Sequence, residues 1–107
     1  MSLFYVCAEG QIIGSTTFEF GDPPMGVAFG TFKPNDNYPS LRKQDGTINV
    51  SIQAQDGSIV PCQGAFVRDM SEEFGPEAVE VEAVGIPHPI YQSLFSEHVQ
   101  AYDAKFR

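Results

Sequence analysis

Tryptophan is absent from this chain of 107 residues, and bases, histidines and cysteines are scarce. Six Lys and Arg stand against fourteen Asp and Glu, giving a net charge of −8. Binders of nucleic acid or of anionic membranes present a basic face. Here the densest basic group is Lys33, Arg42 and Lys43, diluted by Asp36 and Asp45. Neither nucleic acid nor membrane is an expected partner. Two cysteines, Cys7 and Cys62, are too few for a disulfide framework. Both lie in strand-like sequence, so buried thiols in a reducing compartment are expected. Zinc needs three or four ligands, and two Cys and two His lie too far apart in sequence to suggest a site. No metal or cofactor is expected. No G-x-S-x-G elbow is present, so nucleophilic catalysis has no support. No apolar run nears the roughly twenty residues that span a bilayer. The start lacks a basic region and reads as a first strand rather than a signal peptide. The expected location is the cytoplasm.

What is present is material for one core. The hydrophobic fraction is 42%, with nine Phe and four Tyr, which suits a single domain over residues 1–107. Residues 3–8 and 11–20 read as two strands joined by a turn at Glu9-Gly10. Thr16, Phe18 and Phe20 share one face of the second strand. Residues 27–32 form a strand interrupted by Gly30, which suggests a bulge or a close backbone approach. Residues 33–46 are polar and irregular, with a helical turn expected over 39–43. Residues 47–55 alternate cleanly, and Asp56-Gly57 is a strong hairpin signal. The return strand, 58–68, places Val60, Cys62, Gly64 and Phe66 on one face, with Pro61 pushing it toward an edge or bulge. Ser71 caps a short turn through Phe74, with Gly75 at its end. Residues 77–86 form another strand, with Val79, Val81 and Ala83 on one face and Glu80 and Glu82 on the other.

The last pattern is helical. Over residues 90–106, Ile90, Tyr91, Leu94, Phe95, Val99, Ala101, Tyr102 and Phe106 fall within one half of the wheel. Ser96-Glu97 can start a fresh turn, which would kink the helix there. The expected fold is α+β and mainly β. A curved or partly closed antiparallel sheet of about six strands is covered by one C-terminal helix.

Residues 21–30, Gly-Asp-Pro-Pro-Met-Gly-Val-Ala-Phe-Gly, carry the most distinctive local signal. No Lys-Ser/Thr and no helix follow Gly30, so this is no phosphate loop. The prolines and glycines dictate a backbone corner, with Asp22 forming an Asx-type turn or presenting a fixed carboxylate to a partner. The string resembles the signature of a family of small bacterial proteins. Ile59-Val60-Pro61-Cys62, residues 71–76, residues 85–89 and the tail around Tyr91, His98 and Tyr102 fit the same resemblance. It implies a bacterial cytosolic protein and brings no activity, cofactor or catalytic residue with it.

Two surfaces are candidates for function. Residues 69–82 hold six acids (Asp69, Glu72, Glu73, Glu77, Glu80, Glu82) and no base. The run reads as a solvated face, as a surface for a basic protein partner, or as oxygen ligands for a hard cation. Its spacing matches no EF-hand loop. The second surface is the helix around His98, which falls within the apolar half. There it is either a satisfied core histidine or a general base in a cleft shared with Tyr91 and Tyr102. The leading expectation is a non-enzymatic binding domain that meets a basic protein through its acidic face, Asp22 included. The alternative is a small-molecule or acid–base site near His98. A structural or oligomeric subunit is a third reading, tested by exposed apolar surface.

Overall fold

Two of the strands expected from the alternation, 11–20 and 47–55, divide in two with the halves in different sheets, and the strand expected over 27–32 is followed at once by a short strand of the other sheet at 33–34, where the sequence reads as irregular. A computed structural model describes residues 3–38, 47–75 and 78–106. The strands are β1 (Phe4–Ala8), β2 (Gln11–Thr16), β3 (Phe20–Asp22), β4 (Val27–Thr31), β5 (Lys33–Pro34), β6 (Thr47–Asn49), β7 (Ser51–Gln53), β8 (Gly64–Asp69) and β9 (Val79–Val84). They form a four-stranded sheet in the order β5-β2-β1-β7 and a five-stranded sheet in the order β3-β4-β9-β8-β6. All pairings are antiparallel. The fold is therefore α+β and mostly strand, but the single curved or partly closed sheet of the sequence reading is two sheets, neither closed.

The physical reason lies at three residues. Phe18 and Val50 each interrupt a run that alternation alone would continue, and Phe32 stands between β4 and β5. Phe18 and Phe32 are buried and Val50 packs against the core. Each switch keeps its backbone donor satisfied. Phe18 N–H donates to Thr16 Oγ1 at 3.1 Å. Phe32 N–H donates to the Val79 carbonyl and Val50 N–H to the Ala65 carbonyl, both at 2.9 Å. A buried amide must find an acceptor, and here each finds one as the chain changes sheet.

Phe18 changes the facing pattern as well. Its φ is +47°, a left-handed conformation that a bulky side chain rarely adopts. Thr16 and Phe18 stay buried, but Phe20, expected on their face, is 57% exposed. A second facing expectation is also reversed. In β8 it is Ala65 and Val67 that are buried, while Gly64 and Phe66 are half-buried. The irregular stretch 61–63 before β8 shifts the register by one residue, which exchanges the two faces. In β9 the alternation holds, with Val79, Val81 and Ala83 inward.

The two inward faces meet in one cluster. It includes Phe4, Val6 and Ile13 from the first sheet and Ala28, Val67 and Val81 from the second. Cys7 and Cys62 are free thiols, each half-buried rather than fully buried. Both turns expected of hairpins form. Glu9 and Gly10 have φ of +53° and +79°, and Gly57 has +90°. The helical turn expected over 39–43 lies outside the described residues.

A single helical turn, α1 (Ser71–Phe74), precedes β9. The expected terminal helix is two helices, α2 (His88–Leu94) and α3 (Ser96–Phe106), divided where Ser96 begins a new turn. Phe95, at the break, is buried against Phe4, Phe18 and Tyr91, with ring centroids 5.3, 5.7 and 5.0 Å away. Phe95 has φ −126° and ψ 43°, outside the helical region, so the apolar half-wheel is not continuous. Ile90, Leu94 and Val99 pack on the core, whereas Ala101 is exposed. No helix among the described residues is long and apolar enough to cross a membrane.

Candidate functional site

Residues 21–30 are where the helices dock. Pro23–Met25 form a 3-10 turn that ends at Gly26, whose φ is +65° and whose N–H bonds the Pro23 carbonyl at 3.1 Å. Ile86 N–H in turn donates to the Gly26 carbonyl at 3.0 Å. The Tyr91 hydroxyl donates to the Val27 carbonyl at 2.8 Å. A methyl group at Gly21 would overlap the Tyr91 hydroxyl and lie 2.8 Å from His98 Cδ2. One at Gly30 would lie 2.7 Å from Glu19 Oε1 and 3.0 Å from Phe18 Cα, the close approach expected there. The segment is a backbone corner. Asp22, however, makes no side-chain cap bond, so the Asx-type turn is not formed and its carboxylate stays exposed.

The same corner fixes His98. Its Nε2 lies 2.6 Å from the Phe18 carbonyl oxygen. A carbonyl only accepts, so Nε2 carries the proton and donates. The ring stacks on Phe95 with centroids 5.7 Å apart and planes 18° apart. Tyr91 is buried behind it, and its hydroxyl is pushed up to about 12 by burial first and then by the Asp22 charge. His98 and Tyr91 therefore each bond a backbone carbonyl, and neither positions the other. Tyr102 lies farther along α3. It and His98 border a groove of about 510 Å³ between β3 and α3, together with Glu19, Phe20, Asp22, Phe29 and Lys105. Tyr91 is not among its lining residues.

Glu19 supports one wall. Its carboxylate accepts from Thr17 Oγ1 at 2.7 Å and from the Thr31 N–H at 3.0 Å. Burial raises its pKa, but the bonds from Thr31 and Thr17 outweigh that and hold it below the ordinary carboxylate value.

The acidic run is dispersed by the fold. Asp69 turns inward: Oδ2 accepts from the Tyr38 hydroxyl at 2.6 Å, and Oδ1 accepts from Ser71 N–H at 2.9 Å and Ser71 Oγ at 2.5 Å. Ser71 is thus the first residue of α1 and not its cap: the cap position is Met70, which makes no side-chain cap bond, and Asp69 accepts the first amide of the turn. Glu73 is exposed on α1. The Glu72 side chain and Glu77 lie outside what is described. Glu80 and Glu82 project from the outward face of β9. Arg68, one residue before the acidic run, lies opposite Glu80, and its guanidinium is 3.7 Å from Glu82. Among the described residues, no group of three His, Cys, Asp or Glu converges as a metal cage.

What sequence reasoning missed is the company those glutamates keep. Across the five-stranded sheet, Phe20 pairs with Phe29, Phe29 with Glu82, Glu82 with Phe66, and Phe66 with Asn49. All five residues are exposed or half-buried, while Ala28, Ala65, Val81, Ala83 and Ile48 beside them are buried. This row therefore faces solvent. Thr31, Glu80 and Arg68 are likewise in register two residues along. Asp22 stands on the same face of β3 as Phe20. The odd-even position of each residue carried part of this signal, but the order of the strands did not. Comparison of the chain with protein-family models, with curated proteins and with solved structures finds no match.

Proposed function

We propose that this chain is a non-enzymatic, cytosolic binding module that meets a basic protein partner through the outward face of its five-stranded sheet. The row Phe20–Phe29–Glu82–Phe66 carries the reading. Aromatic side chains side by side on a solvent-facing sheet mark a contact surface more than a merely solvated one. Among the described residues, Asp22, Glu80 and Glu82 supply three carboxylates on that face against the guanidinium of Arg68, so the complementary partner is cationic. The bacterial setting implied by the resemblance of residues 21–30 is compatible with this role. Acid–base catalysis receives less support, because His98 and Tyr91 hold the backbone of the fold instead of each other.

The test uses fluorescent octalysine as the probe and anisotropy as the readout. Binding should weaken between low and moderate salt. Replacing Glu80 and Glu82 by Gln should weaken it about tenfold, as loss of two carboxylates from a contact surface would. The control removes equal charge elsewhere, by Glu9→Gln with Asp103→Asn, both exposed positions. If the two double variants lose affinity equally, only net charge is at work and the proposal fails.

A further inference from the structure

We infer that the groove between β3 and α3 anchors an arginine side chain of the basic partner. This rests on the reading above and names the chemistry of one contact within it. One wall is aromatic: the Phe20 and Phe29 rings stack 5.4 Å apart with planes 23° apart. Phe20 is 57% exposed, so a flat apolar face is open to a ligand. Two carboxylates border the same space. Asp22 is exposed and accepts no hydrogen bond from another described residue, and Glu19 is fixed by Thr17 and Thr31. The α3 wall contributes His98, Ala101, Tyr102 and Lys105. Among the described residues that line the groove, two carboxylates stand with one ammonium, a balance that favours a cationic ligand.

The combination selects among cations. A guanidinium is planar, stacks on aromatic faces and pairs with carboxylates through a fork of donors. A lysine ammonium is a compact, strongly hydrated charge and uses the ring faces less well. The groove, at about 510 Å³, holds such a side chain with space for water. Phe20 is shared between the groove and the outward row of the sheet. A partner lying on the sheet face thus reaches the groove by passing one residue over Phe20.

The experiment follows amide signals of the full chain in 15N–1H spectra during addition of N-acetylargininamide. The uncharged N-acetylcitrullinamide, of nearly the same shape, is the comparison. Shifts confined to residues 20–22 and 101–105 with the arginine probe alone, and about fivefold weaker in Asp22→Asn, are expected. Equal shifts with both probes, shifts elsewhere, no shift, or an unchanged affinity in Asp22→Asn overturn the inference. Octalysine separates the two proposals. If octalysine binding still depends on Glu80 and Glu82 while N-acetylargininamide leaves the groove signals unmoved, the arginine anchor is wrong and the sheet-face reading stands. If the groove responds to N-acetylargininamide but octalysine ignores Glu80 and Glu82, the anchor stands without that reading.

Discussion

His98 Nε2 donates to the carbonyl of Phe18 at 2.6 Å, and Phe18 is held at φ +47°. The bond ties α3 to the residue where the chain leaves one sheet for the other. A left-handed conformation at a non-glycine residue costs about 1–2 kcal/mol, and the neighbouring contacts must offset it. Thr16 Oγ1 takes the Phe18 N–H, His98 takes its carbonyl, and Phe4 and Phe95 hold its ring.

Removal of either polar partner should be costly. Thr16→Val keeps the shape of a 1% exposed side chain but orphans a buried N–H, at about 1–3 kcal/mol. His98→Ala also removes the stack on Phe95 and should cost about 2–3 kcal/mol. Urea unfolding measures both. An unchanged midpoint in either variant would show that the corner does not depend on these bonds.

Gly21→Ala should be destabilising by about 2 kcal/mol or more through overpacking, because the added methyl meets the Tyr91 hydroxyl and the His98 ring. Tyr91→Phe removes the hydroxyl that is met first. In a double-mutant cycle the second change should recover part of the loss caused by the first. Strict additivity would mean that the crowding lies elsewhere.

The Glu19 carboxylate gives stability a defined acid limb. Its pKa is lowered in the folded state from an ordinary value of 4.5. That contribution is present above the unfolded value and is lost as pH falls through the folded one. Glu19→Gln should be less stable near neutrality by about 1 kcal/mol, and the two stability curves should converge in acid. Curves that stay parallel down to the lowest folded pH would count against this role for the carboxylate.

Tyr91 governs the opposite limb. Its hydroxyl is raised from 10 to about 12, so the stability it contributes is complete below about 10 and declines as pH rises toward 12. Absorbance at 295 nm should show a tyrosine titrating near that upper value. Tyr91→Phe should remove that component, and Asp22→Asn should move it downward.

Local chemistry was legible in the sequence, and long-range geometry was not. Glu9-Gly10 and Asp56-Gly57 announce their turns because the residues that tolerate positive φ are visible one by one. Ser96 likewise announced the start of α3. Nothing local marks Phe18 as left-handed, since its conformation is imposed by Thr16, His98 and the aromatic cluster from as far as eighty residues away. The acidic run shows the same limit. Asp69 and Glu80 looked equivalent in a list of charges, yet Tyr38 and Ser71 draw one inward while the other faces water. The surface proposed for binding joins β3, β4, β9 and β8, and only strand order reveals that neighbourhood.

The strands that change sheet at Phe18, Phe32 and Val50 also determine how the molecule comes apart. Each sheet holds half of the same three runs of chain. Separating either sheet strips pairing partners from the other, so no half of the fold is a self-sufficient unit. Amide protons in the centres of β1 and β9, one from each sheet, should therefore exchange through one shared global opening instead of two independent ones.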